Sequence, residues 1–301
     1  MKISKKLAMV LALGMAVTFT AQIPVAVAAG ISVDGVGIVG SSGDIDWMDS
    51  HLITAVGVGI PPQGVTAGAT ALARRAALVD AQRALAETVF GVQIDSETTV
   101  EMLAVQSDII RSRLSAVIKG FRVISEGANP DGSYYVQVGI PLYGNGSLGA
   151  VVIPELKSKQ PPAPVQKVDI TTTKITQVEV TSIKATGYTG LVINAKDMDL
   201  SPTFSPVIFD EDNNPIYGIK NIDADFAIAN GMVSYSSDPE LAQNDARVGS
   251  NPLVVNAVSV RGGAGSVNRV NVVVSRDDAD RILLANEGQG FLEKCSVVFV
   301  R

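Results

Sequence analysis

The chain has 301 residues, a formal net charge of −6 and only 5% aromatic side chains. An acidic chain without clustered Lys and Arg excludes nucleic acid, whose phosphates need such clusters, and it offers no attraction to anionic lipid. A single cysteine excludes an internal disulfide, so the fold rests on its apolar core, which a chain with 47% hydrophobic residues can supply as two domains.

The first residues carry Lys2, Lys5 and Lys6, then the apolar run from Leu7 to Phe19, then Ala26-Val27-Ala28-Ala29. That order of charge, short apolar stretch and small residues reads as a cleaved secretory signal, residues 1–29, with the cut after Ala28 or Ala29. Thr18, Thr20 and Gln22 interrupt the apolar run before it reaches the roughly 20 residues of a membrane span. No later segment approaches that length, so the mature chain is expected outside the cytoplasm, in the periplasm or at the cell surface. Loss of the three lysines makes its formal charge −9. A lipid-bearing cysteine is not found at the expected cut, where Ala29 and Gly30 stand.

Residues 30–50 are rich in Gly, Ser and Asp and lead loosely to a strand, with Trp47 as the first bulky anchor. Leu52 to Ile60 reads as that strand, ended by Pro61-Pro62, which lack ladder donors. Alanine density predicts a helix over Thr66 to Phe90, closed by Gly91. Leu78, Ala81, Leu85 and Val89 share one face of it, extended by Leu72, Ala76 and Val79, and its small residues allow close approach to a sheet. A short strand is expected at Val92 to Ile94, then a second helix over Val100 to Lys119 with Leu103, Ile110, Leu114 and Val117 on one stripe. Phe121 to Ser125 and Tyr134 to Pro141 form a hairpin around Asn129-Pro130-Asp131-Gly132. Together these give an α+β module, residues 30–153, with two helices packed on a small sheet.

Residues 154–168 concentrate Pro and Lys without a hydrophobic period and read as an extended, Pro-rich linker. The second domain, residues 169–301, reads as strand-rich α+β. Its strands are expected near 189–195, 206–210, 252–260 and 267–275, with a last buried strand from Phe291 to Val300. A short helix near the C-terminus follows Ser275-Arg276-Asp277-Asp278, a capping pattern, and runs to Asn286 before Gly288 and Gly290.

Candidate chemistry is sparse. Gly35-Val36-Gly37-Ile38-Val39-Gly40 matches a dinucleotide fingerprint literally but precedes no helical run. Gly57 and Gly59 precede Pro61 and Pro62, which lack the N–H groups a phosphate needs, so they read as a close backbone approach. His51 is the only histidine, too little for a usual zinc site or a Ser-His-Asp triad, and reads as a polar residue at the start of a strand. Asp210, Asp212 and Asn214 place oxygen ligands at alternating positions, as calcium loops do. Pro215 stands where such a loop needs glycine, and Asn221 where it needs glutamate, so an acidic turn explains Asp210-Glu211-Asp212-Asn213-Asn214 better. Asp95, Glu97, Glu101, Asp277, Asp278 and Asp280 sit where turns and helix starts favour acids, so no catalytic pair stands out. Cys295 alternates with apolar neighbours and reads as a buried small hydrophobe on a strand, with Lys294 on the other face. No cofactor, catalytic residue or resident metal is implied.

The segment A-V-G-V-G-I-P-P (55–62), the helix A-R-R-A-A-L-V-D-A-Q-R-A-L-A-E (73–87) and the hairpin V-I-S-E-G-A-N-P-D-G-S-Y-Y-V-Q-V-G-I-P-L (123–142) carry a family likeness over about residues 50–143. They resemble the bacterial envelope lipoprotein family typified by the twenty-kilodalton Helicobacter lipoprotein, and the related N-terminal domain of flagellar assembly protein T. Further on, T-G-Y-T-G-L-V-I-N-A, S-P-V-I-F-D-E-D-N-N-P-I-Y-G and F-L-E-K-C-S-V-V-F-V are similar to segments that accompany this module in uncharacterised exported proteins. The likeness implies an α+β envelope module tied to outer-membrane or flagellar assemblies, without recognised catalytic residues. The expected function is therefore a non-enzymatic, exported interaction or assembly protein that binds envelope or appendage proteins or itself. Two alternatives stand beside it: a self-assembling subunit of a surface filament or layer, and a small-ligand-binding protein or hydrolase. The last would need a cleft with convergent polar groups such as Asp and Ser.

Overall fold

A computed structural model describes residues 41–301 apart from 161, 170, 264 and 265. The expected signal segment and the Gly35–Gly40 pattern lie outside the described residues. The N-terminal part contains β1 (Ser42–Ile45), β2 (Leu52–Gly59), α1 (Ala69–Gly91), α2 (Val100–Gln106), α3 (Asp108–Lys119), β3 (Arg122–Ala128) and β4 (Tyr134–Pro141). Its four strands form an antiparallel sheet in the order β1-β2-β4-β3.

Glycine in β2 and alanine in α1 set how closely helix and sheet approach. A Cβ on Gly57 would lie 2.0 Å from the Ala81 amide nitrogen, and one on Gly59 would lie 2.0 Å from the Ala73 carbonyl oxygen. Only glycine leaves room there, so α1 lies backbone to backbone on β2, with Ala73, Ala77 and Ala81 wholly buried. The Asp80 carboxylate accepts the Val58 N–H at 3.0 Å and satisfies a strand donor beyond the reach of the short β1. The helix packs on the expected face of Ala81, Leu85 and Val89, with Leu78 half-buried against the core, but the alanine contact leaves out the expected extension through Leu72, Ala76 and Val79. Ala73, Ala77, Ala81, Ala84, Leu85 and Val89 face inward, while Leu72 and Val79 face solvent.

Two other expected elements differ. Val92 to Ile94 is not a strand, because the Ile94 and Asp95 N–H groups both bond the Thr98 carbonyl in a tight turn, leaving a single bridge between Gln93 and Thr99. The expected helix over Val100 to Lys119 breaks at Ser107, whose backbone is extended and whose hydroxyl accepts the Ile110 N–H to start α3. α2 and α3 lean on α1.

The chain then enters α4 (Gly149–Lys159), so residues 154–159 of the segment expected to be extended are helical, with Pro154 inside the helix. α5 (Gln177–Thr186) begins at a capping box between Thr176 and Glu179. The C-terminal part continues with β5 (Gly190–Asn194), β6 (Ile208–Phe209), β7 (Pro215–Tyr217), a 3-10 turn (Ile219–Asn221), α6 (Ala224–Asn230), β8 (Ser234–Ser236) and α7 (Pro239–Gln243). It ends with β9 (Pro252–Arg261), β10 (Asn271–Val274), α8 (Arg276–Gln289) and β11 (Val297–Val300). Its seven strands run in the order β7-β6-β10-β9-β5-β11-β8.

β5 and β11 pair in parallel and are buried on both faces, which is why both read as unbroken apolar runs. Leu191, Ile193, Val297 and Phe299 join the main core, whereas Val192, Val298 and Val300 form a smaller one with Ala242 and Val248. β9 changes partner halfway: its first residues pair in parallel with β5 and its last pair antiparallel with β10, which places Arg261 opposite Asn271 at the strand end. Ser275 caps α8 by accepting the Asp278 N–H, as its sequence predicts. β11 is shorter than expected, because Gly290 adopts a left-handed conformation and residues 291–295 turn before the strand begins. The main core runs through both parts, from Leu85 on α1 to Phe299 on β11.

Candidate functional site

The two parts meet along a junction with two ends of opposite character. At one end, edge-to-face rings form a row from His51 through Tyr143, Phe204, Trp47 and Tyr235 to Phe299, with centroid separations of 5.2–6.2 Å. His51, Trp47 and Tyr143 come from the N-terminal part, and the other three rings come from the C-terminal part. In a chain with so few aromatics, this concentration locates where the parts are joined.

Tyr235 in the row is satisfied by backbone. The Tyr235 hydroxyl accepts the Thr203 N–H at 3.0 Å and donates to the Thr203 carbonyl at 3.2 Å. Burial pushes the Tyr143 and Tyr235 hydroxyls well above their usual ionisation range; Arg247 opposes the shift at Tyr143, and the Thr203 backbone hydrogen bond opposes it at Tyr235. His51 sits just before β2 with a positive φ of 52°, and its buried Nδ1 has no hydrogen-bond partner among the described residues. Beside Trp47, Asp46 closes the turn into β2: its carboxylate accepts the N–H groups of Met48, Asp49 and Ser50 and the Ser50 hydroxyl. Burial opposes ionisation there, but those four hydrogen bonds outweigh it and hold the Asp46 pKa at about 2.

At the other end the junction opens into a cleft of about 1040 Å³. One wall is the Asp95–Thr98 turn, where the Asp95 carboxylate accepts the Glu97 and Thr98 N–H groups at 2.9 and 2.8 Å. This turn is docked on the C-terminal part by the Ser205 N–H, which donates to the Ile94 carbonyl at 2.8 Å, and by the Ser266 hydroxyl, which donates to the Ser96 carbonyl. The opposite wall includes Ala163, Pro164, Pro215 and Lys220; the Ala163 N–H bonds the Lys220 carbonyl at 3.2 Å.

Arg261 lines the cleft from the end of β9. Its guanidinium carbon lies 3.8 Å from the centre of the Phe209 ring, and Nη1 donates to Asn213 Oδ1. Its Nε is buried without a partner among the described residues. Sequence reasoning missed this residue, since a lone arginine ending a strand carries no motif.

The calcium-like positions do not converge. Asp210 is buried and binds Asn214, accepting its backbone N–H and its side-chain amide at 2.8 Å each, which closes the β6–β7 turn. Asp212 pairs with Arg276, and the Glu211 carboxylate accepts the Arg276 N–H. The acidic run thus shapes a turn, and Asn213 at its tip, with φ 68°, reaches Arg261. The remaining acids are dispersed. Asp95 and Glu97 line the cleft, Glu101 and Asp277 lie in first helical turns, Asp278 pairs with Arg281, and Asp280 accepts the Thr173 hydroxyl.

Cys295 is buried, as its sequence predicts, but it lies in the turn before β11 with φ 54° rather than in a strand. Burial pushes its thiol up to about 11, with Tyr217 and Arg247 opposing. Arg247, unremarked in the sequence, ties this turn to α6 by donating to the carbonyls of Cys295, Gly231 and Asn230.

The two parts also differ in kinship. No curated protein matches the chain. Residues 190–301, which hold β5 to β11, match the second domain of Treponema pallidum Tp0624. Residues 49–141, which hold β2 to β4 and the three helices between them, match the LPP20 lipoprotein family. The chain is therefore similar to a lipoprotein-family domain and to a treponemal domain in succession, and the aromatic row and the cleft lie where the two meet.

Proposed function

We propose that this chain is an exported, non-catalytic binding protein of the cell envelope, and that the cleft between its two parts receives the partner. The observation that carries the reading is the cleft itself, built from loops of both parts and containing Ser96, Ser205, Asn271 and a cation held in place. Groups fixed on a rigid junction bind without the ordering cost of a mobile loop. The signal-like first residues support export, and the likeness of residues 49–141 to a lipoprotein family supports the envelope. Without a cysteine at residue 29 or 30, attachment by lipid at that cut is not part of the proposal. Outer-membrane or flagellar assembly proteins are the partner class that the family resemblance favours.

A photo-crosslinking residue at Gln166 on the cleft, compared with one at Asp225 on α6, tests this in cells. Adducts to envelope components from Gln166 and few from Asp225 are expected; equal yields would sink the reading. A second reading, self-assembly, draws on β3, the free edge of the first sheet, where Val123 and Ile124 are exposed. Self-adducts from a crosslinker at Ile124, with none from Gln166, would favour it.

A further inference from the structure

We infer that the cleft takes an anionic group, carboxylate or phosphate, on the Arg261 guanidinium. This rests on the cleft being the binding surface and adds the chemistry of what binds there. Arg261 differs from its neighbours in having no carboxylate: Arg269 pairs with Asp199, Arg276 with Asp212 and Arg281 with Asp278, whereas Arg261 makes no ion pair among the described residues. Its planar fork is already oriented, stacked on Phe209 on one side and bonded to the Asn213 amide oxygen at one end. A guanidinium with a buried, unpartnered Nε has lost part of its hydration without gaining a counter-charge, so an anion gains more from it than from a solvated surface arginine.

The surroundings are consistent with that sign. The acidic turn beside Arg261 directs its carboxylates elsewhere, Asp210 to Asn214 and Asp212 to Arg276, and offers Arg261 only the neutral Asn213. Lys220 lines the same cleft and makes no ion pair among the described residues, which adds a second positive group. The Glu97 carboxylate lies against Gly263, two residues along the chain from Arg261, and with the acidic chain as a whole it disfavours an extended polyanion, so the expected ligand carries one small anionic group.

Backbone amide shifts of Asn213, Gly262 and Gly263 in the purified chain are followed while succinate or inorganic phosphate is added, against sodium chloride at equal ionic strength. Saturable shifts confined to the cleft are expected with at least one probe. The tighter probe distinguishes a carboxylate from a phosphate ligand. Asn213→Asp keeps a residue tolerant of positive φ but gives Arg261 an internal counter-charge, and it should weaken binding about tenfold or more, as should Arg261→Gln. Shifts that match chloride, or that persist unchanged in both folded variants, would overturn the inference. Adducts from Gln166 that survive Asn213→Asp would show that the cleft binds its partner by other chemistry, leaving the binding-protein reading intact.

Discussion

The closed and open ends of the junction are made from the same two parts by opposite means. At the closed end, rings from both sides bury one another and the Tyr235 hydroxyl bonds the Thr203 backbone, so the contact excludes water and fixes orientation. At the open end, a few hydrogen bonds from Ser205 and Ser266 hold the Asp95–Thr98 turn and leave a cavity beside an arginine without an ion pair among the described residues. The lesson is a division of labour: stability of the junction lies in the rings, which leaves polar residues at the other end free to bind.

Substitution should separate the two ends in order of cost. Trp47→Ala removes the ring that touches both Phe204 and Tyr235 and should cost about 3–5 kcal/mol in denaturant unfolding. Gly57→Ala forces α1 off β2 and should cost about 1–3 kcal/mol by the same measurement. It strains the N-terminal part from within, so the junction rings should keep their near-ultraviolet signal when α1 shifts. Arg261→Gln should change stability by about 1 kcal/mol or less, since it removes a ring stack but also a poorly hydrated charge. A loss as large as that of Trp47→Ala would make the open end structural and break the comparison.

Acid sharpens the same contrast. Asp46 has a folded pKa of about 2 against an ordinary 3.8, so its hydrogen bonds favour the folded state fully above pH 4. That contribution fades as pH falls through about 2, and Asp46→Asn should flatten the acid limb of a stability profile. Cys295 acts in the other direction: its thiol, raised from 9.0 to about 11, contributes stability that is complete below pH 9 and lost as pH rises through 11. Alkylation of Cys295 should accordingly follow unfolding, and rapid modification of the native chain would contradict its burial.

Strong periods and local signals were legible in the sequence. The order of strand, alanine helix and hairpin, the burial of Cys295 and the cap at Ser275 all follow from composition and spacing. The core face of α1 through Ala81, Leu85 and Val89 was legible too, but its extension was not, because glycines on a different strand draw in Ala73 and Ala77 rather than Leu72 and Val79. The break at Ser107 was written in a cap signal that the continuous apolar stripe obscured. The site was hidden for a deeper reason. Arg261, Phe209 and Asn213 meet only through the partner change of β9 and the turn closed by Asp210, and nothing in linear spacing brings them together. The run that read as an acidic turn is one, and its tip at Asn213 holds the protein's own cation.

Calorimetric unfolding of the chain tests most directly whether the two parts are joined as one body. A single transition, with the calorimetric enthalpy equal to the van't Hoff enthalpy, is the result predicted by a core that runs from Leu85 to Phe299 through the aromatic row. Two resolved transitions, one for each part, would contradict it.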